Sequence, residues 1–374
     1  MIWKNSLSET AARVARRLLS FPWKVWFWGD SIGFEGLLDA GELCQDPSYM
    51  AYAHGMFKGW LAREQYRSQF DYNAPGVALL RVYESTGDRS LLDGARRHAA
   101  YLSHFRKTLH GAFVRYENAA IELPPELPPD HPRAGCGGSR PVRDGGPCVF
   151  VDSIHFDGPF FARFFRLTRD RTYREMAVEN ILPQIQLLWD PEQRLFHHFW
   201  MEHSAERNGV LWGRGNGWGL LGVAMTLEEL GTNDAASLSL SEVLRESLDR
   251  LLGLQDASGA WHTVLDDAES YLETSTAAFF ADVMARAICL GLVEAARFQA
   301  PLEKALQYAL SRTREDGLVD GVSYETFPST RREHYRQMPV GALAPWGQGP
   351  LLTALHSYAR MMRISVAEQE HAAS

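Results

Sequence analysis

The sequence predicts an all-α protein, an (α/α)6 barrel, on three observations. Helical periodicity runs through nearly the whole chain, and alternating strand patterns are scarce and short. An amphipathic module recurs along it. Each copy is paired with a segment apolar around most of its surface, and such a helix must be enclosed by others. Six half-exposed segments alternate with six apolar ones, which predicts an inner ring wrapped by an outer ring. An open array of helical hairpins is the alternative arrangement of the same pattern.

The amphipathic series opens at "MIWKNSLSETAARVARRLL", with Ser6 or Ser8 as helix cap. It continues from Asp46 ("DPSYMAYAHGMFKGWL"), Asp88 ("DRSLLDGARRHAAYL") and Asp170 ("DRTYREMAVENILPQI"), where aspartate is an efficient cap. Looser copies start near Ser239 and Gln299. The apolar companions begin near Trp28, Asn73, Gly158, Asn216, Glu273 and Gly347. Two stretches break the rhythm. One is the Pro/Gly-rich run from Ile121 to Cys148, a loop excursion from a single catalytic domain spanning 1–374. The other is "FHHFWMEHSAERNGVLWGRGNGW", Phe196 to Trp218, and long loops in compact domains are often functional.

Composition narrows the partners. Formal net charge is −8 with no Lys/Arg block, which argues against nucleic acid. No apolar run approaches the roughly 20 residues of a membrane span, and the start lacks a signal peptide's apolar centre, so a cytoplasmic setting is expected. The four cysteines, Cys44, Cys136, Cys148 and Cys289, form no C-x-x-C pair or Cys/His cluster, so no structural zinc is expected. Cys136 and Cys148 flank one loop and would pair only if oxidised. Monomer and homodimer both remain open.

Parallel inner helices would bring their starts together at one barrel mouth. Pro75 and Pro159 suit first helical turns, leaving Asp71 just before one helix, and Asp152 and Asp157 before another. Asp157, next to Gly158 and Pro159, is the stronger cap candidate. Asp152 lies among apolar residues, where an unpaired charge is costly. Trp346 and Gln348 precede Pro350, and Asn216 is the natural cap of "RGNGW". The mouth then collects Asp30, Asp71, Asp152, Trp212, Arg214, Trp218, Glu273 and Trp346, with Glu273 read as a buried cap or ring-organising acid. Arg214, between two tryptophans in an apparent loop, suits a two-pronged grip on a carboxylate. Two carboxylates, an arginine and tryptophans fit an enzyme acting on a uronic acid, a small acidic saccharide.

"WGRGNGW", "FVDSIHFDGPFFARFFRLTRDRTY", "FDYNAPGVALLRVYESTGD", "LFHHFW", "SYLETSTAAFFADVMARAICLGLV" and "APWGQGPLLTAL" together resemble the unsaturated glucuronyl and unsaturated rhamnogalacturonyl hydrolases, glycoside hydrolase families 88 and 105. The likeness is nearer family 105. It implies a six-hairpin barrel that removes a 4,5-unsaturated uronic acid from the non-reducing end of lyase-cut oligosaccharides. The reaction hydrates the enol-ether double bond and uses no metal or organic cofactor. On this resemblance Asp152 is the acid and base, and Asp71 the second acidic residue. His198, Trp212, Arg214 and Trp218 line the sugar site, which Asn216 and Trp346 complete as substrate-binding candidates. The Pro/Gly loop departs from the family pattern, and "HHFWMEH" replaces its usual H-G-W-D-E run. Three rivals stand beside this reading: a hydrolase of saturated uronides, a sugar epimerase or isomerase, and a non-catalytic carbohydrate binder.

Overall fold

The structure, a computed structural model, describes residues 2–63, 74–117, 119–121 and 143–372. Thirteen helices lie among the described residues. The inner six are α2 (Trp28–Cys44), α4 (Gly76–Thr86), α6 (Ser153–Thr168), α8 (Gly213–Leu230), α10 (Thr274–Cys289) and α13 (Pro345–Ala372). Each packs on the next, and α13 closes the ring against α2. The outer six are α1 (Ile2–Leu18), α3 (Ser48–Ala62), α5 (Arg89–Leu102), α7 (Arg171–Leu188), α9 (Ala235–Leu252) and α11 (Ala295–Ser311). A five-residue α12 (Arg332–Arg336) sits on the mouth side. The alternating pattern therefore closes into the barrel, and the open array is excluded.

Aspartate caps work as the pattern required at two outer helices. Asp88 accepts from the Ser90 N–H and Asp170 from the Thr172 N–H, both at 3.0 Å. Other boundaries move. α9 starts at Ala235, capped by Asp234, and α11 at Ala295, both ahead of the Ser239 and Gln299 expected. α6 begins at Ser153, so Asp157 is a buried helical residue and no cap. Pro159 and Pro350 both fall inside helices, because Ser153 and Pro345 already open them.

The largest change is at "WGRGNGW". Trp212 is the residue before α8, and 213–218 form its first turns. Asn216 is therefore no cap. Glycine is unfavourable inside a helix by roughly 1 kcal/mol, but close packing overrides it here. A Cβ on Gly217 would come within 2.6 Å of Phe279 on α10, and one on Gly222 within 2.5 Å of the Ile154 carbonyl on α6. Side-chain-free positions on both flanks let α8 sit between its neighbours.

Seven short strands decorate the barrel among the described residues. β1 (Ala120–Ile121) pairs with β2 (Arg143–Asp144), and β4 (Trp189–Asp190) with β5 (Leu195–Phe196). The functional one is the antiparallel sheet of β3 (Cys148–Phe150), β6 (Phe199–Met201) and β7 (Glu206–Arg207). The Pro/Gly segment 122–142, with Cys136, lies outside the described residues, as does 64–73 with Asp71.

At the far end of the barrel the inner helices meet in an ionic network. Arg81 bridges Asp39 at 2.7 Å and Glu42 at 2.9 Å, and His356 reaches Glu42 at 3.1 Å. Arg163 and Arg166 share Glu229, while Arg286 bridges Asp282 and Glu228. At this end the ionic residues line a cavity of about 260 Å³, and the other end opens into the cavity that Asp152 lines.

Candidate active site

β3 runs directly into α6, and this junction presents Asp152. Its backbone is αR, and its carboxylate makes no capping bond to the helix. The Val151 N–H donates to the His198 carbonyl at 3.0 Å, and the His198 N–H to the Val210 carbonyl at 3.2 Å. Trp212 is held next by an antiparallel bridge to Val264. These backbone links bring residues 152, 198 and 212 together despite their separation along the chain. His198 Nε2 lies 3.8 Å from Asp152 Oδ2, and the His198 and Trp212 rings are 4.4 Å apart.

The three line one cavity of about 320 Å³. Its other walls come from Lys24, Phe27 and Trp28 at the start of α2, Arg115, Tyr116 and Phe150 near the sheet, and Ser153 and Phe156 on α6. The segment Glu325–Pro328 completes it. Burial pushes the Asp152 carboxyl up to about 6, against the opposing pull of the Arg214, His155 and Arg115 charges. A group poised near neutrality suits proton transfer in both directions. His198 is held well below the usual imidazole range by burial and by positive charge on His334 and Arg214, so it is neutral.

A network behind His198 sets its orientation. Nδ1 is 2.6 Å from the Tyr335 hydroxyl, which also accepts from Asn208 Nδ2 at 3.2 Å and the Ser329 N–H at 3.4 Å. The phenol proton has two acceptors in reach, His198 Nδ1 and the Ser329 carbonyl at 3.2 Å. This contact fixes the ring with Nε2 toward Asp152.

Arg214 takes a different place from the one its sequence context implies. It is fully buried and does not line the cavity. Nη1 donates to the Ser323 carbonyl at 2.8 Å and to its hydroxyl, and Nη2 to the Tyr324 carbonyl at 2.8 Å and Thr326 Oγ1 at 3.0 Å. Glu273 lies 3.6 Å away and accepts from the Ser323 N–H at 2.8 Å and the Thr276 N–H at 2.6 Å, which makes it the buried cap and organiser expected. Trp346 donates from Nε1 to the Ser323 carbonyl at 3.0 Å and stacks on Trp28 at 4.9 Å. All three brace the 323–328 wall from behind. A fork with both prongs on backbone and hydroxyl oxygens faces the wall and not the cavity.

Asn216 and Trp218 are likewise buried and do not line the cavity. Asn216 accepts from the Phe196 N–H at 2.7 Å and donates to the Phe196 and Trp212 carbonyls, tying α8 to β5. Trp218 is buried against Phe279 and His155. Asp30 is buried too, accepting from the Lys24 and Val25 N–H groups at 2.9 and 2.8 Å. That clamp holds Val25 at φ 72°, a left-handed conformation that costs a β-branched residue on the order of 1–3 kcal/mol. Sequence reasoning missed Lys24, Arg115, Tyr335 and the 325–328 wall. The one visible signal was the aromatic and proline content of "YETFP" in a coil.

A helical barrel with a raised carboxyl, a neutral histidine and an aromatic rim at one mouth defines a carbohydrate-processing class of protein. The chain belongs to the family described as Glycosyl Hydrolase Family 88, which it matches over residues 6–362. It is 27% identical over 359 residues to the unsaturated rhamnogalacturonyl hydrolase YesR of Bacillus subtilis, covering 94% of each chain. Among solved structures it is similar to a possible family GH105 member from Salmonella enterica, with a TM-score of 0.83 and 22% identity over 96% of this chain and 94% of that one. The unsaturated glucuronyl hydrolase of Bacillus sp. GL1 has the same fold, with a TM-score of 0.70 and 19% identity over 94% and 96%.

Proposed function

We propose that this protein removes a 4,5-unsaturated uronic acid from the non-reducing end of lyase-generated oligosaccharides by hydrating the enol-ether bond. Family membership and the likeness to an unsaturated rhamnogalacturonyl hydrolase support the substrate class. The carrying observation is Asp152, a carboxyl raised to about 6 at an open cavity beside a neutral histidine.

In this proposal Asp152 protonates C4 of the uronate. Positive charge then develops at C5, next to the ring oxygen, and the same carboxylate takes a proton from the water that adds there. The resulting hemiketal opens to a keto sugar, and the hemiacetal left at C1 releases the neighbouring sugar. One group serves both steps because it is near half-protonated at mildly acidic pH. His198 orients the carboxyl and Trp212 packs on the ring. Asp71 is the proposed second acid. Arg214, Trp346 and Asn216 act by bracing the walls. The proposal includes a cytoplasmic setting, which the free thiols of Cys44 and Cys289 suit. No helix among the described residues is long and apolar enough to cross a membrane.

Incubation with lyase-made oligosaccharides should bleach the enol-ether ultraviolet absorbance. In heavy-oxygen water the label should enter at C5, and in deuterated water deuterium should enter at C4. Label at C1 with C4 unlabelled would overturn the hydration mechanism and favour an ordinary glycosidase acting on saturated uronides.

A further inference from the structure

Both terminal nitrogens of Arg214 bond to residues 323–326, and its side chain does not line the cavity. Two other basic side chains line the cavity, Lys24 and Arg115. Arg115 is buried and anchored to α6. Its Nε donates to Ser153 Oγ at 2.7 Å, and its Nη2 pairs with Asp157. Lys24 is exposed and forms no salt bridge with any described residue. Its ammonium rests 3.8 Å from the Phe27 ring centroid.

A solvated surface lysine needs no fixed backbone, yet this one has an expensive one. Both N–H groups at 24 and 25 are clamped by the buried Asp30 carboxylate, and Val25 is held left-handed to allow it. On the far side Trp26 is locked in a stack, 3.7 Å from His98 and 4.7 Å from Trp60 by ring centroid. The turn thus carries Lys24 to the rim and holds it there.

We propose that Lys24 is a specificity-determining residue that binds the carboxylate of the unsaturated uronate from this clamped turn. The inference rests on the functional reading above and deepens it. An ammonium is a compact point charge that reaches an anion from one side and needs no planar match. A cation lining the same cavity as the proton-transferring carboxyl would orient the uronate toward Asp152 and select acidic over neutral sugars.

The test is steady-state kinetics on an unsaturated uronyl disaccharide and its carboxyl methyl ester. Lys24→Gln should raise KM for the acid about tenfold while kcat changes less than about threefold. Lys24→Arg should restore most of the loss. The wild-type KM for the acid should rise with added salt, and that of Lys24→Gln should stay flat. On the methyl ester the two proteins should be alike. An unchanged KM for the acid in Lys24→Gln, or an equal loss on acid and ester, overturns the assignment while the functional reading stands. A wild-type protein inert toward every lyase product overturns that reading and the Lys24 assignment with it.

Discussion

Asp152 Oδ2 and His198 Nε2 face each other at 3.8 Å across the junction of β3 and α6, one carboxyl raised and one imidazole held neutral. Both shifts come from burial first. The pair thus keeps a proton on the acid up to about pH 6, well above the ordinary carboxylate range, without forming a charged ion pair.

Activity should follow that proton. The donor form of Asp152 is present below about 6 and lost as pH rises through it, so kcat/KM should fall on the alkaline side with an apparent pKa near 6. Asp152→Asn should lower turnover about 10²–10⁴-fold. Its effect on stability has the opposite sign. A carboxyl raised from 3.8 destabilises the fold once ionised, a cost absent below 3.8 and complete above about 6. The asparagine variant should therefore melt higher than wild type at pH 7 and lose that advantage at pH 4, as calorimetry would show. Near-normal turnover would point to Asp71 in its place.

Arg214→Lys should damage the site through its wall. One ammonium nitrogen cannot span the four oxygens of Ser323, Tyr324 and Thr326 that the two terminal nitrogens divide between them, and hydrogen bonds to charged groups contribute roughly 1.5–3 kcal/mol each. We expect a lower Tm and a reduced kcat/KM of similar size on the acid and its methyl ester. A loss confined to the acid would restore the direct grip on the carboxylate.

The far-end network sets a separate pH dependence. His356 is raised above 6.5, first by Asp39, so its contribution is full below 6.5 and fades as pH rises through its folded value. Glu42 is lowered from 4.5 to about 2, first by its bond to His356, so its contribution is full above 4.5 and is lost as pH falls toward 2. Stability from this cluster should therefore be greatest between about 4.5 and 6.5. His356→Gln should flatten the Tm profile above pH 6.5 and leave the pH dependence of turnover in place.

Gly222→Ala should cost about 1–3 kcal/mol, because its methyl would press on the backbone of Ile154 and His155. Those residues follow Asp152 on α6, so kcat should fall together with stability. An unaffected Tm in thermal unfolding would show that α8 has room to shift.

Much of this protein was legible in one dimension. The alternation of half-exposed and apolar helices, the caps at Asp88 and Asp170, and the placing of Asp152 and Trp212 at one mouth follow from local pattern, because periodicity and capping are properties of neighbouring residues, whereas His198 entered only through the family resemblance. Direction was not legible. "WGRGNGW" looked like a loop because its glycines disfavour a helix in isolation. Only the approach of Phe279 and Ile154 from other helices makes those glycines necessary. Arg214 was read as facing a ligand, yet its partners lie more than a hundred residues away at 323–326, and no local signal encodes that. The raised Asp152 carboxyl is likewise decided by tertiary structure, since desolvation comes from walls contributed by distant segments. The sequence by itself determined which residues could do the chemistry. Packing of the ring decided which of them meet the cavity, because burial and hydrogen-bond geometry exist only once distant segments are brought together.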